Sequence, residues 1–138
     1  MLSLNDLLEL ARVENMPIER RRGIVREYLQ TLILFSLQKS RLSSKIIFIG
    51  GTALRLFYNI QRFSEDLDFN YQGTVNKSDL EKILKEIQKE LKAENIDGGF
   101  SIHKSTETYF HWKVYFQFPD ILQAYGCAGK KVAALHPE

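Results

Sequence analysis

Two aspartates, Asp66 and Asp68, are spaced so that they could bind one metal ion together. In a β-strand, side chains at positions i and i+2 lie on the same face, with Cα atoms about 6.5–7 Å apart. Two carboxylates this close repel each other unless a cation lies between them. Mg²⁺ is the natural candidate, because it prefers oxygen ligands and keeps coordination positions open for phosphate. The spacing therefore predicts a magnesium site that accepts a phosphate-containing substrate.

The three residues Gly50, Gly51 and Thr52 follow the apolar run "KIIFI" and precede a predicted helix. A turn of this kind presents backbone N–H groups to an anion, and glycines allow close approach of the backbone. The Thr52 hydroxyl could donate to a phosphate oxygen. The further candidates for phosphate or ribose contacts in this segment are Arg55, Arg62 and Ser64. We therefore expect the turn to bind the triphosphate of a nucleotide.

Each of these two motifs also has a plainer interpretation. Paired glycines can form only a tight turn, and paired acids can occur on an ordinary surface strand. A strand, the GGT turn, a helix and then a DxD pair 15 residues after Gly51 form a more demanding arrangement. The combination favours a nucleotidyltransferase-like site, where an acceptor hydroxyl attacks an α-phosphate and pyrophosphate leaves with the help of metal ions.

The elements that must position this site are predicted from periodicity and turn residues. Amphipathic spacing indicates N-terminal helices within residues 3–38. The catalytic-type core spans residues 45–118, with strands at 45–49, 64–71, 100–104 and 108–118. A helix begins after Gly51, and another begins with a capping box of Ser78 and Glu81. An incomplete helix is predicted for residues 121–138. The layout predicts one domain of the α+β class, a mixed sheet with helices packed against it.

Composition narrows the class of protein. The 138 residues suit a single domain, and an apolar content of 44% argues against disorder. The net charge of +2 does not by itself indicate a nucleic-acid-binding protein. The basic run "ERRRG" is either a solvated helix start or a contact with a polyanion.

The sequence also bears on the cellular compartment. Cys127 is the single cysteine, which favours a reducing compartment. Neither a signal peptide nor a membrane span is evident. We expect a cytoplasmic protein with no membrane partner.

The segment "FIGGTALRLFYNIQRFSEDLDF" resembles the signature of the AbiEii/AbiGii-type nucleotidyltransferase toxin family, within the DNA polymerase beta-like nucleotidyltransferase superfamily. The likeness is strong over residues 24–70 and looser beyond them. It implies a toxin of a toxin–antitoxin or phage-defence system, a nucleoside triphosphate as donor, Mg²⁺ as cofactor and, for some relatives, transfer to tRNA 3′ ends. It also implies a cognate antitoxin. By this resemblance Gly50, Gly51 and Thr52 hold the triphosphate, and Asp66 and Asp68 are the catalytic metal ligands.

Two features depart from the family pattern. The superfamily has a third carboxylate on a later strand, but "HWKVYFQF" has Tyr115 or Gln117 where it is expected. "KKVAALHPE" places Lys131 at the family's catalytic lysine, and the "RD…D" segment that follows in relatives is absent. These departures leave two alternatives open: a truncated, non-catalytic relative that binds nucleotide or antitoxin, or a remnant that folds only as an oligomer. Apolar surface left uncovered would favour self-association.

Overall fold

The computed structural model describes residues 1–73, 75–104, 112–126 and 133–137. Within these ranges the elements, in chain order, are α1 (Leu4–Val13), α2 (Arg21–Lys39), β1 (Ile46–Ile49), α3 (Gly50–Tyr58), β2 (Asp66–Tyr71), α4 (Lys77–Ala93), β3 (Gly99–Lys104), β4 (Trp112–Gln117), α5 (Pro119–Ala124) and β5 (Ala133–Pro137). The predicted α+β class is confirmed.

The strands form one mixed sheet in the order β1-β2-β5-β4-β3. The pairs β1–β2, β4–β5 and β3–β4 are antiparallel, and β2–β5 is parallel. β2, which carries the two aspartates, is therefore bonded on both sides. Backbone pairing on both edges holds this strand more firmly than an edge strand could be held.

The core lies on one face of the sheet, under α2 and α4. Leu67 of β2 and Leu29 of α2 are completely buried, and Phe116 of β4 is 2% exposed. The predicted apolar stripe of α4 is buried in the same cluster: Leu80, Ile83, Leu84, Ile87 and Leu91. Each such side chain stabilises the fold by about 1.5–3 kcal/mol on burial. The opposite face of β2 carries Asp66 and Asp68, which are half-buried.

The helix N-termini differ in how they are capped. Ser3 and Asp6 form a reciprocal capping box on α1. α4 begins earlier than predicted, because the Asn76 side chain accepts a hydrogen bond from the Asp79 backbone N–H at 2.8 Å. The expected capping box of Ser78 is therefore wrong. Asparagine is as good an N-cap as serine, and the choice between them depends on how the chain enters the helix.

The C-terminal part also differs from the prediction of a helix over residues 121–138. α5 ends at Ala124, and residues 133–137 form β5 rather than a helix. The alanine and leucine of this segment favour a helix locally. However, β5 bonds to β2 on one side and β4 on the other. Two ladders of backbone hydrogen bonds outweigh a weak local propensity.

Large apolar side chains are exposed near the edge strand β1. Phe57 and Tyr58 of α3 are 74% and 76% exposed, and Phe35 of α2 is 57% exposed. Phe35 and Phe57 line a groove of about 490 Å³. This surface is where self-association would act, and the oligomeric state remains a prediction. Across the described ranges, no helix combines the length and the apolar character needed to cross a bilayer.

Candidate active site

Asp66 and Asp68 occupy the first and third positions of β2, and both side chains are half-buried. Between and after them, Leu67 and Phe69 are buried in the core on the other face. This alternation confirms that the two carboxylates share one face of the strand. The core side chains anchor β2 from below, so the two carboxylates are held on a rigid element.

The glycine turn lies directly against Asp68. Gly50 has φ +84°, and a Cβ added to it would come within 2.5 Å of Asp68 Oδ2. Ile49, just before the turn, pairs with Asp68 in the β1–β2 ladder. Only glycine combines this backbone conformation with so close an approach to a carboxylate. The turn and the aspartate therefore form one compact unit.

The lack of a side chain on Gly51 allows Ser64 to lie close to the same turn. A Cβ on Gly51 would lie 2.9 Å from Ser64 Oγ. α3 begins at this turn, and its N-cap residue Ile49 makes no side-chain capping hydrogen bond. Backbone N–H groups in the first turn of a helix lack intrahelical partners and favour anions. The serine hydroxyl therefore lies beside the turn that contacts Asp68.

Thr52 does not point to the site as expected. Its side chain is 1% exposed, and its hydroxyl donates to the backbone carbonyl of Asp66. The prediction that this hydroxyl contacts phosphate is not supported by the geometry. Its role is to fasten the first turn of α3 to the beginning of β2.

Arg55 is likewise directed away from the aspartates. Its guanidinium is 2% exposed and donates to Glu27 at 3.1 and 3.2 Å, to Glu14 at 2.5 Å and to Asn59 at 2.9 Å. Burial raises the pKa of Glu27, although the Arg55 charge and hydrogen bond oppose this rise. The Arg55 donors therefore hold Glu14 after α1 and Glu27 of α2 against α3, and this geometry gives no support to a phosphate contact by Arg55.

Arg62 is exposed on the loop before β2, two residues ahead of Ser64. Arg62 is therefore four residues before Asp66 in the sequence. The structure thus brings together Gly50, Gly51, Ser64, Asp66 and Asp68 and keeps Arg62 on the adjoining loop. The side chains of Thr52 and Arg55 bond elsewhere, and their nucleotide-binding role stays a prediction.

One positioning residue was missed in the sequence. Gln30, 1% exposed on α2, donates through Nε2 to the carbonyl oxygens of Ser64 and Glu65 at 3.1 and 3.0 Å. It holds the segment that leads into β2. The available signal was a glutamine among the apolar residues of the segment "IVREYLQTLILF", since buried amides usually have hydrogen-bond partners.

The third carboxylate that the family resemblance implies is not on β4, the strand where the sequence pattern places it. β4, with Tyr115 and Gln117, lies two strands from β2, or about 10 Å. The neighbouring strand is β5, and its residues in register with Asp66 and Asp68 are Ala134 and His136. Across the described ranges, no group of three or more His, Cys, Asp or Glu side chains is arranged to hold a metal. Lys131 lies outside the described residues.

Comparison with known proteins identifies the family and the fold. Residues 32–131 match the family model of the nucleotidyl transferase AbiEii toxin, type IV toxin–antitoxin system. The fold is similar to MenT4, a nucleotidyltransferase toxin from Mycobacterium tuberculosis H37Rv, with 21% identity and a TM-score of 0.53 over 99% of this chain and 44% of that one. It is also similar to JHP933 from Helicobacter pylori, with 23% identity and a TM-score of 0.50 over 84% of this chain and 43% of that one.

At these identities, the solved structures establish a shared fold and nothing finer. The chain spans less than half the length of each. The comparison with curated proteins finds no relative.

Proposed function

The chain belongs to the AbiEii nucleotidyltransferase toxin family of type IV toxin–antitoxin systems, and from this premise we propose that it transfers a nucleotide from a nucleoside triphosphate to an acceptor hydroxyl with the help of Mg²⁺. The observation that carries the proposal is the close packing of Gly50 against the Asp68 carboxylate. A glycine turn in contact with one acid of a DxD pair joins the phosphate-binding and metal-binding parts in one place.

Asp66 and Asp68 are suited to Mg²⁺ in the type and arrangement of their donors. They supply carboxylate oxygens from one face of a rigid strand. Mg²⁺ is commonly bound by one or two carboxylates together with substrate phosphates. When bound, the cation would neutralise charge on the phosphates and orient the reacting groups. The proposed ligands are therefore these two residues, with the substrate completing the coordination.

The proposed phosphate-binding set is smaller than the one predicted from the sequence. We propose that the backbone N–H groups of Gly50 and Gly51 and the Ser64 hydroxyl donate to the triphosphate, a proposal supported by the closeness of Ser64 and Asp68 to this turn. Arg62 is exposed two residues before Ser64, and we propose that it neutralises phosphate charge. Gln30 has a positioning role, because it holds the backbone around Ser64.

The proposed reaction is an in-line displacement. The oxygen of the acceptor hydroxyl forms a bond to the α-phosphorus, and the bond from that phosphorus to the oxygen bridging to the β-phosphate breaks. Pyrophosphate leaves with the electron pair, and the hydroxyl proton passes to solvent. We propose a tRNA 3′ end as acceptor, because the family resemblance implies this substrate for some relatives, and a cognate antitoxin as inhibitor.

A second candidate is a relative that binds nucleotide or antitoxin without turnover. It is favoured by one observation: among the described residues, no group of three or more His, Cys, Asp or Glu side chains is arranged to hold a metal ion. The difference in length from the solved structures is consistent with either candidate.

A transfer assay tests the first candidate. The purified chain is mixed with Mg²⁺, total tRNA and each labelled nucleoside triphosphate in turn. Asp68→Asn is the inactivating variant, and Asp97→Asn, which changes an exposed acid outside the site, is the matched control. We expect label on RNA with the wild type and the control and none with Asp68→Asn.

Nucleotide binding separates the remaining outcomes. Mg²⁺-dependent triphosphate binding without transfer would favour the non-catalytic candidate. Triphosphate binding that is unchanged in Asp68→Asn and independent of Mg²⁺ would refute the proposed metal site.

A further inference from the structure

An open groove of about 520 Å³ lies at the beginning of α2, outside the site described above. It contains four guanidinium groups, and we call it the arginine groove. Its described lining residues are Glu19, Arg20, Arg21, Arg22, Gly23, Arg26, Phe63, Glu65 and Gly126. The cationic side chains outnumber the acidic ones two to one, so the groove favours an anionic ligand.

The groove lies beside the segment that leads into β2. Arg26 is 14% exposed and pairs with Glu65, with 3.3 Å between Nη1 and Oε1. Glu65 is the residue immediately before Asp66, so the two Cα atoms are about 3.8 Å apart. Gln30, one turn further along α2, holds the carbonyl of Glu65. The groove therefore has a fixed position beside the start of β2.

The arginines lie at the N-terminal end of α2, where the helix dipole disfavours positive charge. Arg20 is the N-cap of α2, Arg21 and Arg22 follow it, and the first turn has no acid. By contrast, α1 and α4 each have an aspartate in the first turn. Cations near the positive end of a helix dipole destabilise the helix unless an anion compensates them. Glu19 and Glu65 offset part of the positive charge in the groove, and a bound polyanion would offset more of it.

The arrangement fits a chain of phosphates better than a single phosphate or a protein. Arg21 and Arg22 are consecutive residues of α2 and point about 100° apart, and Arg20 is exposed at the N-cap before them, so the three side chains do not converge on one point. Guanidinium groups bind phosphate through paired hydrogen bonds. Phe63 is the one large apolar side chain among the described lining residues. Protein–protein interfaces have an apolar centre, whereas interfaces with nucleic acids are polar and positively charged.

We propose that the arginine groove docks the phosphate backbone of the RNA acceptor and thereby brings its 3′ end to Asp66 and Asp68. The choice of RNA rests on the proposed function. The docking itself is measured apart from transfer, in the absence of divalent metal and nucleotide.

The test compares two double variants of the full chain. Arg20→Ala/Arg21→Ala removes two exposed charges from the groove, and Lys85→Ala/Lys89→Ala removes two exposed charges from α4. Both retain the ion pair of Arg26. Binding of a fluorescein-labelled RNA hairpin with a single-stranded 3′ end is followed by anisotropy in EDTA over a range of salt concentrations. A thermal melt by circular dichroism confirms that each variant is folded.

We expect the arginine variant to bind RNA several-fold more weakly and its salt slope to decrease in magnitude by about two, one for each lost phosphate contact. The lysine variant should bind as the wild type does. Equal weakening in both variants would overturn the proposal, because general charge would then explain binding. Unchanged RNA binding with loss of poly-glutamate binding would also overturn it, in favour of an acidic protein partner.

The result does not depend on the transfer assay. A chain that binds RNA through the groove but transfers nothing would refute the proposed function alone. A chain that transfers label normally after loss of Arg20 and Arg21 and binds RNA unchanged would refute the docking site alone.

Discussion

Replacing Gly50 with alanine should damage the site through a steric conflict that can be measured separately from backbone strain. The added Cβ would lie 2.5 Å from Asp68 Oδ2 and 3.1 Å from Asp68 Cβ. The position also has φ +84°, which costs a non-glycine residue about 1–2 kcal/mol. Pushing the carboxylate aside adds a cost of the overpacking type, about 1–3 kcal/mol.

Gly73 is a matched control within the same chain. It has φ +87°, but a Cβ there would meet nothing within 4 Å. Gly73→Ala should therefore show the backbone cost alone. We expect the free energy of unfolding, measured by urea denaturation, to fall further in Gly50→Ala than in Gly73→Ala by about 1–3 kcal/mol.

A double-mutant cycle assigns that difference to Asp68. In the Asp68→Gly background the obstructing side chain is absent, so Gly50→Ala should cost no more than Gly73→Ala. In the transfer assay, a carboxylate displaced by about 1 Å should lower the rate on the order of 100-fold. Equal destabilisation by Gly50→Ala and Gly73→Ala, or no coupling with Asp68, would refute the proposed close packing.

Three further predictions concern the corrected residues. Arg55→Met should lower the free energy of unfolding by about 3 kcal/mol, because it leaves Glu27 without its partner. The affinity of the folded protein for triphosphate should be unchanged. Weaker triphosphate binding would support the phosphate contact predicted from the sequence. Thr52→Val should lower the free energy of unfolding, measured by urea denaturation, by about 1–2 kcal/mol, since the lost hydrogen bond is to the Asp66 carbonyl. Triphosphate binding should not weaken. A loss of binding with no loss of stability would contradict this prediction. The folded-state pKa of Glu27 is raised above 4.5, so its contribution to stability is largest at low pH and declines as pH rises from about 4.5 through the raised pKa. The difference in unfolding free energy between wild type and Glu27→Gln should decrease over that window, and a difference that increases with pH would contradict it.

The local sequence pattern was sufficient to predict the strand–turn–helix–strand unit. "KIIFI" before paired glycines predicted a strand and turn, and the acid–apolar alternation placed Asp66 and Asp68 on one face. The stripe from Leu80 to Leu91 predicted the buried face of α4. These inferences succeed because side-chain direction repeats every two residues in a strand and every 3.6 in a helix.

The secondary-structure errors arose where local signals were nearly balanced. Ser78 and Asn76 are both good N-caps, and chain entry selected Asn76. The segment 133–137 has helix-favouring residues but forms β5. Its state depends on the free edges of β2 and β4, which no local window contains.

The sequence by itself determined the two motifs, their order and the shared face of the aspartates, because these follow from short-range geometry. The tertiary structure alone decided which polar side chains serve the site. Thr52 and Arg55 lie in the same short segment as Gly50, yet Thr52 bonds across to Asp66 and Arg55 bonds to Glu27, 28 residues earlier in the chain. A donor bonds to the acceptor that packing brings within reach, and packing is set by burial of apolar surface from distant segments.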